Sequence, residues 1–118
     1  MGDLTDNFNR SEFACKCGCG FDEIALDTVY ICQNLRDHFG RKVMIKSGCR
    51  CPEHNASVGG AEKSQHVAGT AADVVVKDVH AHDVYEYLDN YSGQLGVGGL
   101  GKYETFTHLD TRGKRARW

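Results

Sequence analysis

Proline is nearly missing from this chain. Pro52 is the only one in 118 residues, against 14 glycines. Turns must therefore be built with glycine, whose missing Cβ opens the left-handed backbone region. No apolar run approaches the roughly 20 residues that span a bilayer, which excludes a membrane helix. The first residues, MGDLTDNFNR, lack a basic stretch followed by an apolar one, so no secretory signal is expected. An excess of basic charge is also missing. Fourteen Lys and Arg stand against sixteen Asp and Glu, a net charge of −2, which argues against a general nucleic-acid binder. Neither hydrophobic nor charged residues are scarce, at 41% and 25%, and that balance excludes intrinsic disorder. A chain of 118 residues makes one domain and buries roughly two thirds of the surface that its unfolded form exposes.

No internal repeat or low-complexity segment divides residues 1–118, so a single domain is expected. Residues 1–25 form a cysteine-containing N-terminal segment, mostly loop, with a short helical turn at Asn9–Phe13. The spacing predicts a helix from Asp27 to Phe39. Val29, Cys32, Leu35 and Phe39 recur in steps of three and four, with Ile31 at the edge of that face. Asp27 is the expected N-cap, and Gly40 the residue just past the C-terminus. Lys42–Ser47 alternates as a half-buried strand. Residues 48–70 read as a long loop with a short helix near Pro52–Ser57. Ala71–Lys77 is a β-branched strand, His80–Tyr91 a second helix and Thr105–Asp110 a further strand. Five glycines between Gly93 and Gly101 argue against a regular helix there. Residues 112–118 read as a basic, solvated tail carrying Arg112, Lys114, Arg115 and Arg117 and ending on Trp118. Elements in this order predict an α+β fold: a small, mainly antiparallel sheet with two main helices.

Three positions carry the chemistry. His66, Asp73 and His108 offer two imidazoles and a carboxylate, a set that catalytic zinc uses while keeping one position open. His66 and Asp73 are seven residues apart. That separation is about 10.5 Å along a helix and roughly twice as much along a strand. Zinc donors sit only about 2.0–2.2 Å from the metal, so a turn must lie between the two residues. Gly69 is placed to make it. Asp73 then opens the VVV strand, and His108 lies on a second strand, TFTHLD.

The stretch Ser64-Gln65-His66-Val67-Ala68-Gly69-Thr70-Ala71-Ala72-Asp73 reads S-x-H-x-x-G-x-A-x-D. Together with Thr107-His108-Leu109-Asp110 and with SGCRCPEHN over Ser47–Asn55, it resembles the zinc D-Ala-D-Ala carboxypeptidase family, in particular its short phage-type members. The similarity runs from about Phe13 to Trp118. It implies a hedgehog/DD-peptidase-like fold with Zn2+ held by His66, Asp73 and His108. It also implies a cleft arginine, Arg50, that pairs with a carboxylate of the peptide substrate, a task suited to a planar guanidinium. Ser64 either hydrogen-bonds substrate near the metal or caps its own loop. The activity implied is hydrolysis of peptidoglycan stem peptides, as carboxypeptidase or endopeptidase, by a monomer made in the cytoplasm and acting on the cell wall in phage lysis or from a virion.

In one respect the sequence departs from its relatives. Family members carry an acidic residue three positions before the last histidine, or a histidine two before it; here those positions are Thr105 and Phe106. Glu104, four residues before His108, shares its face if the strand is regular, and it is the expected proton acceptor. Asp110 also shares that face and is expected to orient a ligand by accepting a hydrogen bond from it. Without a working base, the alternatives are a zinc-containing module that binds peptide or wall without cutting it, and a virion structural protein.

Five of the six cysteines fall in two clusters, Cys15, Cys17 and Cys19, then Cys49 and Cys51, while Cys32 stands alone. Either a disulfide between the clusters or a structural metal would brace the Arg50 loop. The C-x-C spacing is tighter than the usual C-x2–4-C of zinc sites. Both readings stay open on sequence, and redox chemistry ranks below them.

Overall fold

In the computed structural model, residues 2–61 and 64–118 are described. A 3-10 turn at Arg10–Phe13 leads into α1, Leu26–Phe39. The steps of three and four place Val29, Cys32 and Leu35 in the core, with Ile31 beside them. The N-cap is Ala25, not Asp27. Asp27 lies inside the first turn, where its carboxylate favours the unpaired N–H groups through the helix dipole. Gly40 closes the helix in the left-handed conformation, φ 63°.

Next come β1 (Val43–Ser47), α2 (Pro52–Ser57, with proline at its first position, where no N–H is needed) and β2 (Ala71–Val76). They are followed by α3 (Ala81–Asn90), α4 (Ser92–Leu95), β3 (Gly99–Lys102), β4 (Thr107–Asp110) and β5 (Ala116–Arg117). The one-turn helix α4 differs from the expectation for the glycine-rich stretch. Only Gly93 falls inside it, and Gly96 terminates it at φ 78°.

The five strands form one mixed sheet in the order β1-β2-β4-β3-β5. All pairings are antiparallel except that of β3 with β5. Helix α1 packs on β1 and β2, and α3 on β2, β3 and β4. Strand alternation sends Ala72, Val74, Val76, Leu100 and Leu109 into the core. Asp73 and His108 fall on the opposite parity. Register then aligns Ser47, Asp73, His108 and Gly101 in one row across β1, β2, β4 and β3.

Residues 112–118 are not a solvated tail. β5 pairs with β3, and Trp118 exchanges backbone hydrogen bonds with Leu100 and Lys102. Arg117 donates to Asp89 at 2.8 Å and to the Gly98 carbonyl at 2.7 Å, and Arg115 also reaches Asp89. The basic residues thus fasten the last strand to α3. The Arg117 hydrogen bond holds the Asp89 carboxyl below its ordinary range. A carboxyl with a lowered folded pKa stabilises above its unfolded value of about 3.9, and that contribution fades as pH falls. Asp89→Asn should therefore cost about 0.5 kcal/mol near neutrality. The difference from wild type should vanish towards pH 3, as read by urea denaturation at a series of pH values.

Candidate metal centre

Asp73 and His108 are direct cross-strand partners on β2 and β4, which fixes their side chains next to each other on one face. His66 comes from the turn before β2. Gly69, at φ 76°, makes that turn, and a Cβ there would meet the Glu23 carbonyl oxygen at 2.5 Å. The chain reverses at this point, and the seven-residue separation collapses. His66 Nε2 lies 3.2 Å from Asp73 Oδ1, and His108 Nδ1 lies 2.9 Å from the same oxygen. One ligand atom from each residue falls within 4.8 Å of the others, and all three residues are buried.

The outer nitrogen of each imidazole is committed elsewhere. His66 Nδ1–H donates to the Gly48 carbonyl at 2.7 Å. His108 Nε2–H donates to Asp110 Oδ2 at 2.8 Å. Because a carbonyl and a carboxylate only accept, these bonds take up the outer N–H of each ring and leave His66 Nε2 and His108 Nδ1 facing Asp73, to donate to its carboxylate when protonated or to offer a lone pair to a metal. Asp110 is itself fully buried. It accepts from Arg112 through Nε and Nη2 and from the Gly99 N–H, so its orientation is fixed as well. Burial opposes charge on Asp73, but hydrogen bonds from His108 and His66 prevail and hold its carboxyl at about 2. The donor set therefore suits a divalent metal: an anionic oxygen and two neutral imidazole nitrogens, each oriented by a partner behind it.

A cleft of about 460 Å³ opens over these groups. Arg50 lines it. Its Nε donates to Ser47 Oγ, Nη1 to Asn55 Oδ1 and Nη2 to Asp73 Oδ2, at 3.1, 3.2 and 3.4 Å. A guanidinium has five N–H groups, so two remain for a ligand. Asn55, which the sequence reading did not single out, is buried and anchored by its Nδ2–H to the Ala61 carbonyl. The signal for it was its place at the end of SGCRCPEHN. Ser64 lines the cleft, and its Oγ accepts the His66 N–H at 3.1 Å, so its loop-capping role is visible. Tyr103, Phe106 and Trp118 supply aromatic lining. Trp118 packs on His108 with ring centroids 5.0 Å apart and donates to the Tyr103 hydroxyl. Gly101 makes room, since a Cβ there would lie 2.6 Å from Trp118 Nε1. Arg112 and Trp118 are thus cleft residues and not part of a solvated tail.

Glu104 is not brought to this site. β4 begins only at Thr107, and Glu104 sits in the turn between β3 and β4, so strand parity does not apply to it. Its side chain is 83% exposed, with His82 as its ion-pair neighbour at 3.7 Å. The strand parity that would have set Glu104 on the His108 face is absent here. Glu104→Gln should leave zinc content unchanged and hydrolysis within about twofold of wild type, in a steady-state assay of stem-peptide cleavage.

The cysteines divide differently from the two sequence clusters. Sγ atoms of Cys15, Cys17, Cys19 and Cys51 lie within 4.8 Å of one another. Cys49 is not in that group. It belongs to the hydrophobic core, where burial pushes its thiol up to about 11.

A cleft floored by two histidines and an aspartate on a small α+β sheet is the layout of a metallopeptidase. The Peptidase M15 family model matches residues 6–110, and the chain belongs to this family of zinc-dependent D-Ala-D-Ala carboxypeptidases. No curated protein matches the chain.

Proposed function

We propose that this domain hydrolyses peptidoglycan stem peptides, with Zn2+ held by His66 Nε2, Asp73 Oδ1 and His108 Nδ1. The observation that carries this reading is the convergence of those three atoms, with the inner nitrogen of each imidazole facing Asp73, at the floor of an open cleft. Bound zinc supplies Lewis acidity towards the scissile carbonyl and acidifies water. The chain does the rest. Asp110 and the Gly48 carbonyl hold the two imidazoles in place. Arg50 offers its two spare N–H groups to a substrate carboxylate, while Asn55 and Ser47 keep the fork aimed. Tyr103, Phe106 and Trp118 give the peptide an apolar surface to lie on. The setting we infer is a bacterial cell wall, attacked during phage lysis or from a virion by a protein that acts as a monomer.

One observation favours a second reading. Among the described residues that line the cleft, Asp73 has the only side-chain carboxylate, and it is engaged with both histidines and Arg50. That supports a module that holds metal and binds stem peptide without cutting it.

Mass spectrometry of purified peptidoglycan after incubation with the zinc-loaded protein, against a chelated control, separates these readings. The account predicts chelator-sensitive products: free D-alanine from a carboxypeptidase, or loss of cross-linked dimers from an endopeptidase. An unchanged fragment pattern with zinc bound would overturn the hydrolase reading in favour of the binding module.

A further inference from the structure

We infer that Cys15, Cys17, Cys19 and Cys51 form a second, purely structural zinc site that ties the N-terminal segment to the loop carrying Arg50. The geometry of the sulfurs carries the inference. A tetrahedral zinc with Zn–S bonds of about 2.3 Å sets its four sulfurs about 3.8 Å apart. Here Cys15 and Cys17 Sγ are 3.5 Å apart, Cys17 and Cys51 Sγ are 3.6 Å apart, and all four atoms lie within 4.8 Å of one another.

The backbone is folded to produce this. On a regular extended chain, residues 15, 17 and 19 would share a face, but each would stand roughly 7 Å from the next. Left-handed glycines at Gly18 (φ 83°) and Gly20 (φ 93°) curl the segment so that its sulfurs converge. Two backbone bonds hold the curl: Gly18 N–H to the Cys15 carbonyl, and Cys15 N–H to the Phe21 carbonyl. The glycines also explain how the tight C-x-C spacing can serve. Gly18 and Gly20 have nothing within 4 Å of an added Cβ, so backbone conformation and not crowding requires them.

Two of the sulfurs already receive N–H donors. The Cys51 N–H points to Cys15 Sγ and the His54 N–H to Cys51 Sγ, each at 3.4 Å. Such bonds satisfy the lone pairs of a metal-bound thiolate. Four sulfurs and no open position mark a closed site that stabilises and does not catalyse. Each thiol that binds the metal gives up its proton to solvent, and no redox step is involved.

Position gives the site its purpose. Cys51 follows Arg50 directly. The same loop supplies the Gly48 carbonyl to His66, and the Arg50 N–H to the His66 carbonyl. The Cys49 N–H bonds the Phe13 carbonyl, just before the cysteine run. A metal here would lock this loop between the N-terminal segment and the catalytic cleft. It closes a long loop of chain, from residue 15 to residue 51.

The test is metal content and cobalt spectroscopy of the full chain, purified under reducing conditions. Wild type should carry two zinc equivalents per chain. A His66→Ala, His108→Ala double variant should keep one. When loaded with Co2+ alone, that variant should show the intense near-ultraviolet sulfur-to-cobalt band of a tetrahedral thiolate site. Cys17→Ser with Cys19→Ser should lose that equivalent and that band. Both side chains are solvent-exposed, so these changes spare the core, and circular dichroism at low temperature checks the fold. A histidine double variant that holds no zinc would overturn the site. So would a cobalt spectrum without the sulfur band in the histidine variant, or a mass short of two hydrogens per pair of cysteines, which would identify a disulfide. None of these readouts depends on hydrolysis, so the site stands or falls apart from the proposed activity.

Discussion

His108→Ala should empty the cleft of its zinc and lower stem-peptide hydrolysis by about 10³-fold or more. The imidazole contributes one of the three converging atoms, and its loss leaves Asp73 facing His66 alone. Two donors cannot match the three protein ligands of a catalytic zinc, and the metal's share of transition-state stabilisation is several kcal/mol. The companion His66→Ala should behave alike, because Nε2 of that ring completes the set. Zinc per chain and steady-state rate, measured on the same preparations, check the pair. A variant that loses the cleft metal but keeps its rate would break the link between the site and the chemistry.

Asp110→Asn should cost about 3 kcal/mol of stability, or roughly 10 °C in Tm for a domain of this size. The carboxylate is fully buried and serves four donors: His108 Nε2, the Gly99 N–H, the Arg112 N–H and the Arg112 guanidinium. Those hydrogen bonds outweigh the burial that opposes its charge, and its carboxyl lies well below the usual range. An amide of the same shape keeps the volume but leaves the Arg112 guanidinium without its counter-charge. It also presents an NH2 group where only acceptors fit. The His108 tautomer is no longer enforced, so zinc affinity should fall by about 10- to 100-fold. Thermal melting with and without added zinc separates the two effects. Because His108 still stands, the variant should bind zinc at high concentration, unlike His108→Ala.

The elements that set this site were legible where local chemistry fixes them. Val29, Cys32 and Leu35 follow helical spacing, and Gly40 ends that helix as its conformation allows. Gly69 was readable as a turn because His66 and Asp73 cannot otherwise meet. What could not be read depended on distant partners. β5 is two residues long, and it exists because Trp118 and Ala116 find backbone partners on β3 and Arg117 finds Asp89. No local pattern reports such pairing. Glu104 stands outside β4, which starts at Thr107, so no strand parity ties it to His108. Cys49 and Cys51 look equivalent in sequence, and on a regular strand they would share a face, but β1 has ended at Ser47 and Cys51 is already the N-cap of α2, so the two part company. One enters the core and the other meets the N-terminal thiols. Asn55 acts only through Arg50, which becomes visible once the short helix α2 has folded back.

The proposed function requires a metal at His66, Asp73 and His108 for peptide hydrolysis. The most direct test is to strip the protein of metal, add zinc back stepwise, and follow cleavage of a synthetic stem peptide ending in D-Ala-D-Ala. Direct binding of the metal should be recorded in the same titration for wild type and Asp73→Asn. The account predicts that wild-type cleavage rises in proportion to occupancy of the cleft and reaches a plateau at one equivalent there, while Asp73→Asn stays near background. Cleavage that ignores zinc, or a cleft fully loaded with zinc that releases no product, would contradict it.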